Sequence, residues 1–181
     1  MIRWTFALLV VACSSDDEGD GTADTDSGSP PPAECGGDTV ARAIHGQTPA
    51  DILVPGQEVA IVSGPQGGFH MELGMEVQSG RTDVGWRIDL DELATGDLVG
   101  SVGQIVFAIL TEWDPATCTG HLNGRVFIGD GTAQTADFAC ALAGTPIEAR
   151  GWADPLEVDG EIPTESTEVT LEIVAGTADA C

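Results

Sequence analysis

The chain has 181 residues, and its 30 acidic side chains stand against six arginines and no lysine, which gives a net charge of −24. Such a field repels polyanions, and no basic stripe is present to neutralise phosphates, so we expect no nucleic-acid partner. Apolar residues make up 42 % of the chain, which is enough to bury a core. We therefore expect one folded domain with a polar tail.

The chain begins with a short positive segment, an apolar run from Trp4 to Val11, and a cysteine at position 13. The run is too short to span a bilayer, which needs about 20 apolar residues. The sequence LVVAC, which ends at Cys13, resembles the lipobox of bacterial lipoproteins. The resemblance implies that residues 1–12 are a cleaved signal peptide and that Cys13 carries a lipid anchor. The resemblance also implies, from the serine after Cys13, delivery to the outer membrane, on its periplasmic face or at the cell surface.

Residues 14–34 read SSDDEGDGTADTDSGSPPPAE and carry seven acids. Nothing in this segment is apolar enough to offset the entropy of chain ordering. Glycine, serine and charge repulsion keep such a chain extended, and three prolines stiffen its end. We predict that residues 13–34 are the acylated cysteine and a disordered acidic tether, and that residues 35–181 are the folded domain.

Four cysteines remain when Cys13 is acylated, namely Cys35, Cys118, Cys140 and Cys181. An even number in an exported chain indicates two disulfides, for which three connectivities exist. A predicted hairpin about residue 129 would bring Cys118 opposite Cys140, and a bond between Cys35 and Cys181 would fasten the two ends of the domain. We therefore prefer the pairs 118–140 and 35–181.

Alternating apolar and polar residues dominate the rest of the chain and predict half-buried antiparallel strands. The predicted strands, separated by Gly, Pro, Asp and Asn clusters, are residues 58–62, 69–78, 84–91, 105–110, 124–128, 138–142 and 168–175. The window 98–110 also shows helical spacing, but two glycines make a helix costly there, and we interpret it as strand. Seven or eight strands with almost no helix predict an all-β protein. Its expected architecture is an antiparallel, immunoglobulin-like β-sandwich, monomeric and stapled by disulfides.

The segment GPQGGFH at residues 64–70 resembles a turn segment of uncharacterised lipoproteins of GC-rich bacteria. The resemblance brings no known activity. Pro65 presets a turn and the two glycines that follow Gln66 permit positive φ, so the segment is interpreted as a tight connection between two strands. The alternative is a ligand loop that uses Gln66 and His70 beside bare glycine backbone.

The sequence offers no support for catalysis. It contains no GxSxG, HExxH, GxxxxGK or GxGxxG motif, and it has no lysine to act as a base. The three histidines, His45, His70 and His121, do not fall beside a serine or cysteine in an arrangement typical of a triad. We therefore expect no enzyme activity, no catalytic residue and no cofactor.

One metal hypothesis comes from the order His70, Cys118, His121, which resembles the ligand order of the cupredoxins. No methionine follows His121 in the axial position, and a thiolate at Cys118 would leave an odd number of cysteines. A looser copper or silver site could use Met71, Met75 and a histidine, but the two methionines share a face with Leu73 and are expected in the core. The expectation is no metal site, with a periplasmic copper-binding protein as one alternative.

Acidic and aromatic residues suggest a second alternative, a glycan- or calcium-dependent binding module. Acid pairs occur on the polar faces of predicted strands, Glu72 with Glu76 and Asp89 with Asp91. Trp113 and Trp152 stand in acid-containing contexts where an exposed indole could stack on a sugar ring.

Taken together, the patterns predict a non-enzymatic envelope protein, anchored in the membrane through Cys13. Its folded domain is expected to act as a binding or structural module toward an unidentified protein or glycan partner.

Overall fold

The computed structural model describes residues 35–65, 67–102, 106–129, 135–155 and 167–181. All of them belong to one compact unit, Pro32–Cys181. The predicted signal peptide, Cys13, the tether and Gln66 lie outside the described residues. The described strands are β1 (Val40–His45), β2 (Gln57–Ser63), β3 (Phe69–Gln78), β4 (Asp83–Glu92), β5 (Leu98–Ser101), β6 (Val106–Ile109), β7 (Thr111–Asp114), β8 (Thr119–Ile128), β9 (Pro146–Pro155) and β10 (Thr167–Ala178), with one helix, α1 (Ala136–Ala141).

The strands form a single sheet that closes on itself. The closed ring of strands runs β3–β2–β10–β9–β4–β5–β8 and returns to β3. Three further strands are not part of the ring: β1 pairs with β3, β6 with β4, and β7 with β8. Closure depends on β3 and β8, which pair antiparallel from Phe69 opposite Ile128 to Gln78 opposite Thr119. Only β2 and β10 pair in parallel among the described strands.

The all-β prediction is confirmed, but the expected immunoglobulin-like sandwich of two packed sheets differs from this closed barrel. Both architectures bury one face of every strand, so both produce the same alternation of apolar and polar residues along the chain. Whether the sheet closes depends on which strands pair with each other, and the alternation of residues along one strand does not determine its partners.

The predicted alternation in β3 and β4 is confirmed by burial. Four side chains of β3 that face the interior are at most 1 % exposed: Met71, Leu73, Met75 and Val77. Trp86 of β4 crosses the interior to reach β8, where a Cβ on Gly124 would lie 2.3 Å from its Cη2 atom. Gly124 therefore makes room for the indole, and the barrel interior is packed with side chains.

Two predicted strands have a different structure. The segment 138–142 lies largely in helix α1, because Thr135 caps it: its side-chain oxygen accepts a hydrogen bond from the backbone N–H of Phe138 at 3.2 Å. The window 98–110 contains two strands, β5 and β6, rather than one. Among the described residues no helix is long and apolar enough to cross a membrane.

The structure contains two disulfides, but the preferred pairing was wrong. Cys35 is bonded to Cys118 and Cys140 to Cys181, with Cα–Cα distances of 5.5 and 5.8 Å. The expected hairpin does not form, because its second arm is helix α1, which packs near β10 and so brings Cys140 to the C-terminus. The two bonds lie at opposite ends of the barrel, one where β8 begins and the other beyond the end of β10.

The pairing can be tested by digestion of the unreduced protein with trypsin, since cleavage after the arginines places each of the four cysteines in a different peptide. We expect the peptide that ends at Arg42 to be linked to the peptide 88–125, and the peptide 126–150 to be linked to 151–181. Mass spectrometry before and after reduction identifies the linked pairs. A peptide linking Cys118 to Cys140 would contradict the structure.

Candidate functional site

The outer surface of the barrel carries a group of polar side chains from three neighbouring strands, β1, β3 and β8. His45 of β1 lies opposite Gly74 of β3, and Glu76 of β3 lies opposite His121 of β8. Residues directly opposite each other in antiparallel strands share one face of the sheet. Since Met75 points into the core, these side chains lie on the outside. We call His45, Glu76 and His121 the histidine face.

His45 is fully buried although it lies on the outer face, because β3 has a glycine beneath it. A Cβ on Gly74 would lie only 2.1 Å from Cε1 of His45, so the imidazole rests directly on the backbone of β3. The segment that follows β1 turns back beside that strand, and Ile52 forms a backbone bridge with His45. The bare backbone at Gly74 is therefore required for this position of the ring.

The ring of His45 has a defined orientation. Its Nδ1 atom lies 2.9 Å from the carbonyl oxygen of Gly46. A carbonyl oxygen can only accept, so Nδ1 carries the proton and donates it, and in neutral imidazole Nε2 keeps a lone pair.

Two ring nitrogens of the histidine face have no hydrogen-bond partner. Nε2 of His45 and Nδ1 of His121 are both inaccessible to solvent and unpaired. The two rings meet edge to face, with centroids 5.5 Å apart and an interplanar angle of 68°. Buried polar atoms are nearly always hydrogen-bonded in folded proteins. Two neighbouring exceptions on one surface mark the histidine face as the candidate site.

Burial is the main cause of a lowered pKa at His45, and the nearby His121 lowers the pKa further, while contacts with the backbone of Gly46 and of Met75 and the carboxylate of Glu76 act in the opposite direction. Desolvation penalises the charged imidazolium more than the neutral ring. His45 is accordingly neutral near pH 7, with its Nε2 lone pair available.

A cleft of about 230 Å³ opens beside the histidine face. It is lined by Gly46, Gln47, Glu72, Leu73, Asn123, Gly124 and Arg125. Arg125 Nε lies 4.0 Å from Glu72 Oε1, so these two lining residues form an ion pair. The cleft thus offers a carboxylate, a guanidinium and two amides to a polar ligand.

The cupredoxin-like set of His70, Cys118 and His121 is not assembled. Cys118 is in a disulfide, and His70 lies opposite Phe127, six residues along β3 from Glu76, the residue opposite His121. At a rise of about 3.3 Å per residue, six residues separate His70 from His121 by about 20 Å. The methionines of the looser copper hypothesis, Met71 and Met75, are buried in the core. In the part of the chain that the structure describes, no three His, Cys, Asp or Glu side chains converge on one point.

The described residues of the segment GPQGGFH include a tight turn after β2, at Gly64, Gly67 and Gly68. Gly64 and Gly68 are joined by a backbone hydrogen bond of 2.6 Å, and Gly67 has a φ of 87°. His70 is buried, with its Nε2 atom 3.9 Å from Glu72 Oε1. The interpretation as a turn agrees with this geometry, whereas the proposed ligand role of Gln66 falls on a residue outside the described ranges.

The acid pair Asp89 and Asp91 is neutralised by arginines. Arg87 Nε donates to Asp89 Oδ1 at 2.8 Å, and Arg150 Nε donates to Asp91 Oδ2 at 2.6 Å. Ser101 donates a further hydrogen bond to Asp89. A calcium ion at this position would have to displace both guanidinium groups, so the calcium alternative gains no support here.

The two candidate sugar-stacking tryptophans are engaged in different ways. Trp152 of β9 has two guanidinium groups over its ring, Arg87 at 5.8 Å and Arg150 at 5.3 Å from the centroid. Trp113 of β7 packs against the core, and a Cβ on Gly120 would lie 3.2 Å from its ring. Cation–π contacts cover Trp152 with charge, which leaves less of the indole for a sugar.

Sequence reasoning missed the pairing of His45 with His121. His45 ends a short strand that the sequence did not predict. In the chain, 75 residues lie between the two histidines. The only local signal is that His45 is followed by Gly46 and a turn-rich segment. The register of β1 on β3, and of β3 on β8, brings the rings together.

Comparison with known proteins identifies no family. No protein-family model and no curated protein matches the chain. Among solved structures, the CooA pilin subunit from enterotoxigenic Escherichia coli matches at 10 % identity over 75 % of this chain and 99 % of that chain, with a TM-score of 0.30. A likeness at this level assigns neither a fold family nor a function.

The lowered pKa of His45 predicts a pH dependence of stability in the metal-free protein. Below the unfolded value of 6.5, the unfolded chain binds a proton that the folded chain does not, so the free energy of unfolding falls as the pH falls toward the folded-state pKa. Asp83 and Asp179 have pKa values lowered from 3.8 and lose their contributions only in more acidic solution.

We expect urea denaturation with a chelator present to show lower stability at about pH 5.5 than at about pH 7.5. Changing His121→Asn removes one of the smaller causes of the lowered pKa while burial remains, so it should weaken this dependence only in part. The His70→Asn change, made far from the pair, should leave the pKa of His45 as it is. A titration midpoint above 6.5 for His45 in an NMR experiment would contradict the prediction.

Proposed function

We propose that this protein is a non-enzymatic lipoprotein of the bacterial outer membrane, held by acyl chains on Cys13, whose barrel acts as a binding or structural module. The observation that carries the proposal is the filled interior of the barrel. Because side chains such as Met75, Ile88 and Trp86 occupy it, a partner must be recognised on the outer surface.

Several features support an envelope location. Two disulfides connect the four cysteines at opposite ends of the domain, and disulfides persist mainly in oxidising, extracytoplasmic compartments. The lipobox-like sequence that ends at Cys13 and the acidic segment that follows it also support an anchored domain. A binding role is proposed rather than catalysis because the sequence contains no common catalytic motif.

The cleft beside the histidine face is the proposed contact surface. Glu72, Asn123 and Arg125 present acceptors and donors within one small concave surface, which suits a polar group such as a peptide or sugar better than an apolar ligand. The guanidinium of Arg125 is more than half exposed and so is available for a carboxylate or carbonyl of the partner.

Changing Cys13→Ser tests the anchor. We expect the variant to leave the membrane fraction, because a tether and domain with so many acids have no other affinity for an anionic surface. Fractionation of cells by ultracentrifugation, with immunodetection of the protein, measures the release. A matched change elsewhere in the tether, Ser14→Ala, should keep the protein in the membrane. Membrane retention of the Cys13→Ser variant would contradict the proposal.

The binding role can be tested by crosslinking in intact envelopes. We expect Arg125→Ala to lose a specific crosslinked partner that the unchanged protein captures. Arg42→Ala removes the same charge from a residue outside the cleft and should retain the partner. Equal capture by the two variants would place the contact surface elsewhere, and capture of nothing by the unchanged protein would contradict a binding role.

A further inference from the structure

We propose that His45 and His121, completed by Glu76, bind a transition-metal ion that prefers nitrogen ligands, Zn²⁺ or Cu²⁺. The site goes beyond the proposed function, since neither membrane anchoring nor the cleft requires a metal.

The first argument is the state of the two ring nitrogens. Nε2 of His45 and Nδ1 of His121 are buried and unpaired, and their rings are held with centroids 5.5 Å apart. Imidazole is a preferred ligand of zinc and copper, with metal–nitrogen distances of about 2.0–2.1 Å for zinc. The two unpaired nitrogens belong to neighbouring rings, and an ion that both of them reach would satisfy both.

The second argument is the hydrogen bond on the opposite side of the His45 ring. Histidine ligands typically donate their other N–H to a carbonyl or carboxylate, which fixes the tautomer and the direction of the lone pair. Nδ1 of His45 donates to the Gly46 carbonyl at 2.9 Å. The same contact holds the ring on Gly74, so the ligand is oriented before any ion arrives.

The third argument is the position of Glu76. It lies directly opposite His121 in the β3–β8 register, where Cβ atoms are about 4.5–5.5 Å apart, and its carboxylate acts electrostatically on His45. No three potential ligands of the described residues converge on one point. The proposal therefore requires Glu76 to change its side-chain rotamer in order to reach the ion as a third ligand.

A solvent-filled cleft lies next to the proposed ligands. Its lining includes Gly46, adjacent to His45, and Asn123, which lies opposite Gly74 in the β3–β8 register. The net charge of −24 also raises the local concentration of cations near the surface. The competing explanation is a structural histidine pair whose nitrogens are satisfied by a trapped water molecule.

Metal titration of the full chain distinguishes these explanations. Zn²⁺ and Cu²⁺ would be added in competition with a chromophoric chelator, and the stoichiometry and affinity determined. We expect one tightly bound ion of at least one of these metals per chain. His121→Asn is the main variant, because His121 is only partly buried, and it should weaken the binding by at least about tenfold.

His70→Asn provides a matched control, since His70 also lies on the outer face of β3 but far from the pair. It should bind the metal as the unchanged protein does, and Glu76→Gln should weaken binding by a smaller factor. The acidic tether is present in every variant, so ions that it holds do not affect the comparison. Thermal denaturation gives a second readout: the ion should raise the Tm of the unchanged protein and of His70→Asn, but not of His121→Asn.

For Cu²⁺, electron paramagnetic resonance should show coupling to imidazole nitrogen that is reduced in the His121→Asn variant. The proposal is overturned if neither metal binds more tightly to the unchanged protein than to His121→Asn, or if His70→Asn loses the ion to the same extent as His121→Asn. The first result would favour the structural pair with trapped water. Neither result would affect the membrane anchor, which is tested separately by Cys13→Ser.

Discussion

The structure depends on the pairing of β3 with β8. Their continuous register, from Phe69 opposite Ile128 to Gln78 opposite Thr119, converts an open sheet into a closed barrel and removes two long unpaired edges. It also determines the face of every side chain on both strands, because a shift of one residue would turn Leu73 and Met75 outward. The packed core and the outer polar surface are therefore two consequences of one register.

Two glycines make this register compatible with large side chains on both faces. Gly124 of β8 leaves space inside the barrel for the indole of Trp86, while Gly74 of β3 leaves space outside it for the imidazole of His45. Close approach of a side chain to a strand backbone generally requires glycine at that point. His45 can occupy this position in the histidine face because Gly74 has no side chain beneath the imidazole.

Three of the six arginines form ion pairs with aspartates and so neutralise part of the large acidic excess. Arg87 and Arg150 each bind an aspartate on the outer surface, and Arg81 binds Asp83. Asp89 and Asp91 are buried, and a buried carboxylate is costly unless it is paired, so the contacts of Arg87 and Arg150 offset the desolvation of these two carboxylates of β4. The histidine face differs from these ion pairs, because one ring nitrogen of His45 and one of His121 are buried without a partner.

The sequence by itself determined the all-β class, the faces of β3 and β4, and the presence of two disulfides in the domain. These properties follow from local alternation and from a count of cysteines, both of which can be read without knowing which strands are neighbours. Only the tertiary structure decided the closure of the sheet, the pairing of Cys35 with Cys118 and the meeting of His45 with His121. Each of these depends on contacts between residues distant in the chain, and period-2 alternation is the same for any order of strands. Thr135 caps helix α1 where a strand was expected. Because Cys140 lies in this helix, it is close to the C-terminus and bonds to Cys181.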